Sequence, residues 1–199
     1  MNLFILSLFS PLVFIFDLNV QSKTYPLALI HGFGDNCNSD LIKYFEESLN
    51  VYVKCIPSGE MWETITLSME EQSIRACNYL NSDQNFFGDF NLITISQGGL
   101  IARYIIEKCD LKGTVRKVVA IGGPMMGTAK VPKCLNGVLC FILRSFANYL
   151  AYKYQSTGPF GYYKPLSHLN EFNVENSFLA DLNNEKIYNK TYKDNIEKL

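Results

Sequence analysis

Short apolar runs alternate along the chain with longer segments in which apolar residues recur every three or four positions. The short runs predict buried strands, and the helical spacing of the longer segments predicts amphipathic helices. Strands are predicted at residues 25–31, 51–56, 90–95 and 115–121, and helices at residues 40–49, 61–80, 97–109, 177–185 and 189–199. Because strands and helices alternate, we expect an α/β fold whose mostly parallel sheet carries crossover helices on both faces.

The third predicted strand ends in a serine that is followed at once by a predicted helix. Ser96 stands at this junction, with Gly98 two positions later and Thr94 two positions earlier, where glycine is usual. A serine on a sharp strand-to-helix turn is how α/β-hydrolases mount their nucleophile. The simpler interpretation is a helix N-cap, in which the serine only satisfies free backbone N–H groups.

A loop at the end of the first predicted strand favours the hydrolase interpretation. That strand ends in His31, which is followed by Gly32 and Phe33. A His-Gly turn at a strand end supplies one backbone N–H of an oxyanion hole, and the residue after the nucleophile, here Gln97, supplies the other. Two separate parts of the sequence therefore agree on an acyl-transfer site with Ser96 as its nucleophile.

With these loops identified, the chain resembles the lysosomal palmitoyl-protein thioesterases, a family of the α/β-hydrolase superfamily. The resemblance runs from about Tyr25 to the end of the chain, and its blocks keep the order and approximate spacing of the family. These blocks are residues 30–35, 96–99, 119–123, 131–134 and 177–183. The resemblance implies that Ser96 is the nucleophile and that the N–H groups of Phe33 and Gln97 form the oxyanion hole.

The same resemblance implies a function. The enzyme would hydrolyse the thioester that links a long-chain fatty acyl group to a protein cysteine, through an acyl-serine intermediate. Its substrates would be S-acylated proteins or peptides, or fatty acyl thioesters, and it would need no metal or organic cofactor, because a thioester is already activated. Two alternatives stay open, namely an inactive pseudoenzyme or acyl-binding protein, and a lipase or esterase that acts on oxygen esters.

The triad partners of the serine are the main difficulty. In this superfamily an aspartate and then a histidine follow the nucleophile along the chain. His31 precedes Ser96, and His168 lies in a segment rich in Tyr, Pro and Asn that matches no histidine-bearing loop of the family. Asp181 and Asp194 follow the serine, but their surroundings are not typical of an orienting carboxylate. We therefore expect a C-terminally truncated chain that lacks the triad Asp and His, has an incomplete sheet and is nearly inactive as it stands.

The N-terminus predicts a destination outside the cytosol. Residues 1–22 form an apolar stretch with a polar end, which is typical of a secretory signal peptide and too short for a comfortable transmembrane span. Residues 23–199 would form one partial hydrolase domain, with a helical and aromatic insertion around residues 134–176. The apolar helix of that insertion is interpreted either as an acyl-chain groove or as ordinary core.

Six cysteines in 199 residues are typical of a protein from an oxidising compartment. Cys37 and Cys55 each follow a predicted strand, so they form either a third bridge or two free buried thiols. The resemblance implies the other two disulfides, which are Cys77–Cys109 and Cys134–Cys140.

The remaining surface features agree with a secreted or lysosomal glycoprotein. Asn189 begins an Asn-Lys-Thr sequon, which predicts a glycosylated surface. The net charge of −1 leaves no basic patch, so nucleic acid is not an expected partner.

Overall fold

The computed structural model describes residues 24–37, 39–130 and 157–199. Its sheet is wholly parallel and has the strand order β2-β1-β3-β4. The strands are β1 (Leu27–Ile30), β2 (Val53–Cys55), β3 (Asp89–Ile95) and β4 (Thr114–Ile121). Each predicted strand is present, and the α/β class with a mostly parallel sheet is confirmed.

Burial differs between the strands, since all four residues of β1 are buried whereas burial alternates along β3. In β3, Phe90, Leu92 and Thr94 are buried, and the residues between them are half-buried. In β4, which like β2 is an edge strand of the described sheet, Val119 and Ile121 are 51% and 53% exposed. The described residues therefore cover the sheet well at β1 and β3 and leave much of β4 open.

Helices connect the strands and pack on the sheet. In chain order they are α1 (Ser39–Leu49), α2 (Glu63–Thr66), α3 (Met69–Leu80), α4 (Gly98–Lys108), α5 (Leu169–Glu175), α6 (Leu179–Leu182) and α7 (Lys190–Ile196). Single 3-10 turns lie at Gln84–Phe86, Gly158–Tyr162 and Leu166–His168. Helix α4 contacts β1, β3 and β4, so the element that follows Ser96 lies across the middle of the sheet.

The prediction of a single helix over residues 61–80 is wrong, because the helix is interrupted between α2 and α3. Ser68 is the N-cap of α3, and its Oγ accepts a hydrogen bond from the Glu71 N–H at 3.0 Å. A serine followed three residues later by glutamate is a capping-box pattern, which favours a new helix start at this point. The sequence therefore carried the signal for the break.

The helix predicted over residues 177–185 is also longer than the one that forms. Only α6 is helical, because the Asn176 side chain accepts from the N–H groups of Leu179 and Ala180 at its start. Asn184 ends the segment with a φ of 57°. Helix α5 and the 3-10 turns were not predicted, since they are short and lie in polar or aromatic sequence.

The hydrophobic core lies between the sheet and helices α3 and α4. Leu92 and Phe90 of β3 meet Leu100 and Ile105 of α4 in one buried cluster. The Phe86 ring packs edge-on against Phe90 with ring centroids 5.2 Å apart. Removing such fully buried side chains costs about 2 to 5 kcal/mol each, so this cluster holds the serine-bearing turn in place.

Two disulfides link the described elements, one between a loop and the sheet and one between two helices. Cys37 pairs with Cys55 across a Cα–Cα distance of 5.7 Å, which joins the loop after β1 to the end of β2. Cys77 pairs with Cys109 across 6.1 Å, which joins α3 to the end of α4. The second pair is the one that the family resemblance implies, and the first settles the question that the sequence left open for Cys37 and Cys55.

Several predictions from the sequence lie outside the described residues. They are the signal peptide at residues 1–22, the Cys134–Cys140 disulfide, and residues 134–156 of the aromatic insertion. Across the ranges that the structure does describe, no helix combines the length and the apolar character that crossing a membrane requires.

Candidate active site

Ser96 occupies a strained turn between β3 and α4. Its φ is +49°, a left-handed value that residues other than glycine seldom adopt, and its side chain is exposed. An N-cap residue normally has an extended backbone, and the N-cap position of α4 is Gln97, whose side chain makes no capping bond. The geometry therefore fits a mounted nucleophile and not the N-cap interpretation.

Backbone hydrogen bonds hold this turn on both sides. The Ser96 N–H donates to the Ile121 carbonyl at 2.8 Å, and the Gly99 N–H donates to the Ser96 carbonyl at 3.0 Å. The first bond anchors the serine to the end of β4, and the second closes the turn that leads into α4. The hydroxyl of Ser96 is thus carried by a backbone that is fixed at both neighbouring elements.

Gly98 is required by close packing of α4 on the end of β1. A Cβ at this position would come 2.6 Å from the Ile30 carbonyl oxygen and 2.7 Å from the His31 carbonyl oxygen. Both neighbours are backbone atoms, so they cannot move aside as a flexible side chain would. The small residue two positions after the serine therefore lets α4 start directly above β1.

Thr94, where the motif usually has glycine, is accommodated inside the sheet. It pairs with Ile30 of β1 and Ala120 of β4, and it is fully buried. Its hydroxyl has no hydrogen-bond partner among the residues that the structure describes. A β-branched residue suits a strand, so this departure from the motif leaves the turn at Ser96 intact.

The His31–Gly32 loop lies directly against the serine. A Cβ on Gly32 would come 3.0 Å from the Ser96 Cβ and 3.7 Å from its Oγ. Beyond it, the Phe33 side chain is exposed and Gly34 has a φ of +68°. The structure therefore brings the two loops that were predicted to form the oxyanion hole to one end of the sheet.

The loop after β4 also lies against Ser96. A Cβ on Gly123 would come 3.5 Å from the Ser96 carbonyl oxygen, and one on Gly99 would come 3.2 Å from the Gly123 Cα. Three loops thus meet at the carboxyl ends of parallel strands, which is where α/β sheets bind their ligands.

A buried polar network lies beneath these loops, and the sequence did not predict it. The Gln97 amide donates to the Thr64 carbonyl at 3.1 Å and to the Gln72 Oε1 at 2.8 Å. The Gln72 amide donates in turn to the Thr64 carbonyl at 3.2 Å. The Tyr162 hydroxyl donates to the Gln97 Oε1 at 3.1 Å, and burial raises the pKa of Tyr162 to about 12. Both polar atoms of the buried Gln97 side chain, next to Ser96, therefore have hydrogen-bond partners.

Neither histidine is placed as the base for Ser96. The His31 ring is buried with its Nδ1 3.1 Å from the Gly32 carbonyl oxygen, and His168 has its Nδ1 2.8 Å from the Ser167 Oγ. Among residues 24–37, 39–130 and 157–199, no side chain is hydrogen-bonded to the Ser96 hydroxyl. In the described part of the chain, the turn at Ser96 thus has no general base hydrogen-bonded to it.

Asp181 and Asp194, the two aspartates considered as triad partners, each form an ion pair with a lysine. Asp181 accepts from the Lys108 ammonium at 2.9 Å and from the Tyr192 hydroxyl at 3.3 Å. Asp194 pairs with Lys190, one turn earlier on α7, at 2.7 Å. Such ion pairs are structural, so neither carboxylate is positioned to orient a histidine.

Arg103 explains why the block at residues 177–183 belongs with the serine block. From α4, its guanidinium donates to the Met125 carbonyl at 2.6 Å, and to the Leu182 carbonyl and the Asn183 Oδ1 at 2.7 Å each. It also pairs with Glu107 at 2.7 Å. Burial raises the pKa of Glu107, and the hydrogen bond and charge of Arg103 oppose that shift. One side chain thus joins the helix behind Ser96 to two distant segments.

Asn189, the predicted glycosylation site, begins the last helix. Its Oδ1 accepts a hydrogen bond from the Thr191 N–H at 3.0 Å, so the side chain caps α7. The residue is half-buried. Its glycosylation stays a prediction.

Comparison with known proteins assigns the family. The sequence profile of the palmitoyl protein thioesterase family matches residues 26–199, which is most of the chain. The chain belongs to the palmitoyl-protein thioesterase family. Membership agrees with the parallel sheet, the strained serine and the two glycine-rich loops beside it.

Curated relatives of this family carry the same name. The chain is 28% identical to palmitoyl-protein thioesterase 1 of Caenorhabditis elegans over 193 residues, which cover 88% of this chain and 63% of that protein. It is 28% identical to palmitoyl-protein thioesterase 3 of Dictyostelium discoideum over 183 residues, which cover 89% of this chain and 63% of the relative. The chain thus spans less than two thirds of the length of these relatives.

Proposed function

We propose that the protein is a palmitoyl-protein thioesterase that acts through Ser96. The observation that carries the proposal is the contact of Gly32 with Ser96, because it joins the strained serine to the loop whose N–H groups would bind an oxyanion. Family membership supports the same reaction class.

The proposed mechanism has two steps. The Ser96 hydroxyl, deprotonated by a histidine, attacks the thioester carbonyl, and the N–H groups of Phe33 and Gln97 hold the negative charge on oxygen. The cysteine thiolate leaves, and water then cleaves the acyl-serine ester. The chain spans 63% of the curated relatives it matches, and neither histidine of the described residues is bonded to Ser96.

The proposed substrates are S-acylated proteins or peptides, or fatty acyl thioesters. Phe33 and Met126 present half-exposed apolar side chains on two of the loops that border Ser96, which supports an acyl group as ligand. The two disulfides support passage through the secretory pathway to the lysosome or the cell exterior.

A comparison of matched substrates tests this function. The protein expressed from its complete transcript is given a peptide palmitoylated on cysteine, and the same peptide palmitoylated on serine, with the Ser96→Ala variant as control. We expect faster hydrolysis of the thioester and no hydrolysis by the variant. Preference for the oxygen ester would favour a lipase or esterase, and tight binding of the acyl peptide without hydrolysis would favour an acyl-binding protein.

A further inference from the structure

We propose that Thr64 is a positioning residue that fixes both halves of the oxyanion hole. The inference rests on the proposed function, which places the N–H groups of Phe33 and Gln97 in that hole. Thr64 lies on α2, a one-turn helix, and its hydroxyl bonds to the Gly34 N–H and the Met61 carbonyl and not to the Ser96 hydroxyl. Its influence would therefore pass through the loops that it holds.

The side chain of Thr64 holds the first half. The Gly34 N–H donates to the Thr64 Oγ1 at 2.7 Å, and that hydroxyl donates its own proton to the Met61 carbonyl at 2.6 Å. Fixing the Gly34 N–H fixes the peptide plane between Phe33 and Gly34. The Phe33 N–H belongs to the preceding peptide, between Gly32 and Phe33. Because Gly32 packs against Ser96 and the following peptide is bonded to Thr64, the backbone on both sides of Phe33 is held and the direction of its N–H is set.

The backbone carbonyl of Thr64 holds the second half. It accepts from the Gln97 amide at 3.1 Å and from the Gln72 amide at 3.2 Å. Gln97 is the residue that follows the nucleophile, and its side chain is 1% exposed. Anchoring that side chain fixes the rotation of the residue whose N–H is the second oxyanion donor.

Burial makes this arrangement rigid. Thr64, Gln72 and Gln97 are all at most 1% exposed, so none of their polar groups can exchange its partner for bulk water. A Cβ on Gly158 would come 2.2 Å from the Thr64 carbonyl oxygen, which shows that the turn at Gly158–Tyr162 is pressed onto the network. Thr64 therefore fixes the position of the loop at Phe33 relative to the turn at Gln97.

Oxyanion donors act on the transition state and not on the bound substrate. Loosening them should lower kcat and leave KM within about two-fold, and the loss of one donor in comparable sites is roughly 100-fold. A residue with only a structural role would instead lower stability and leave kcat per folded molecule unchanged.

The test uses three variants of the protein from its complete transcript. Thr64→Val keeps the shape and removes the hydroxyl, and Thr64→Ser restores the hydroxyl. Thr66→Val is the matched control, because the exposed Thr66 hydroxyl donates to the Trp62 carbonyl at 3.0 Å in the same helix without touching the loops. kcat and KM are measured on a palmitoyl thioester, and amide hydrogen exchange of Gly34 and Gln97 is measured by NMR.

We expect a fall in kcat of about 10- to 100-fold for Thr64→Val, with faster exchange at Gly34, and values near wild type for Thr64→Ser and Thr66→Val. Unchanged kcat and exchange in a folded Thr64→Val variant would overturn the inference and leave the proposed function standing. If wild type itself does not hydrolyse the thioester, the proposed function fails, and unchanged exchange at Gly34 would then overturn the inference separately.

Discussion

Gly32 packs against Ser96 so closely that a Cβ on the glycine would come 3.0 Å from the serine Cβ and 3.7 Å from its Oγ. The two residues are far apart in sequence, and each ends a different strand of the parallel sheet. Their contact places the candidate nucleophile beside a loop with exposed backbone.

Gly32→Ala should therefore damage catalysis more than stability. The new methyl group would push on the Ser96 side chain, and a displacement of about 1 Å in a reacting group costs on the order of 100-fold in rate. kcat/KM on a palmitoyl thioester and the thermal midpoint measure the two effects. Gly88→Ala is the control, since a Cβ there meets nothing within 4 Å. Equal activity of the two variants would show that the Gly32 contact does not constrain the serine.

Thr94→Val should stabilise the protein. The Thr94 hydroxyl is fully buried and has no hydrogen-bond partner in the described ranges, so the substitution removes an unsatisfied polar group at nearly constant shape. We expect a gain of about 1 kcal/mol in the free energy of unfolding, measured in urea. A loss of stability would mean that the hydroxyl has a partner in the folded protein.

The local chemistry of the site was predictable because it resides in short sequence patterns. The strained turn was indicated by an apolar run that ends at Ser96 and by a glycine two residues later. Its neighbouring loop was indicated by the His-Gly turn after β1. Their meeting follows from parallel pairing, since β1 and β3 are adjacent and both end at the same edge of the sheet.

The support beneath the site was not predictable from such patterns. Gln97 and Thr64 are 33 residues apart, and Gln97 and Gln72 are 25 apart. Pairings at these separations depend on how α2 and α3 pack on the sheet, and no periodicity fixes that. Arg103 is a similar case, because its partner Asn183 lies 80 residues away.

Glu107 should make stability depend on pH. Burial raises its pKa above the ordinary 4.5, against the opposing hydrogen bond and charge of Arg103, so the folded state binds this proton more tightly than the unfolded state does. Its contribution is then fully present below the unfolded pKa and is lost as pH rises through the folded pKa.

Comparison of wild type with Glu107→Gln isolates this effect. We expect the free energy of unfolding of wild type, relative to the variant, to increase as the pH is lowered from 7 towards 4.5. Urea unfolding at several pH values gives the difference directly. A difference that stays constant or shrinks on acidification would show that the pKa of Glu107 is not raised.

Each disulfide should contribute to stability by restricting the unfolded chain. The bridges span 32 residues for Cys77–Cys109 and 18 for Cys37–Cys55, which corresponds to roughly 3 to 4 kcal/mol each in the chain-entropy model, with the longer loop contributing about 0.5 kcal/mol more. Paired Cys→Ala variants and urea unfolding test this order. Alkylation of Cys37, Cys55, Cys77 or Cys109 in unreduced, unfolded wild type, located by mass spectrometry, would contradict the pairing itself.

Capture of the acyl-enzyme tests directly whether Ser96 is the nucleophile. The protein from its complete transcript is mixed with a palmitoyl thioester, quenched in acid within the first turnover and digested for mass spectrometry. The proposed acyl-serine mechanism predicts palmitate in ester linkage on the peptide that contains Ser96, and on the order of 100-fold less on that peptide in the Gly32→Ala variant at the same time point. Palmitate on a different residue, or turnover of the thioester without any acylated serine, would contradict it.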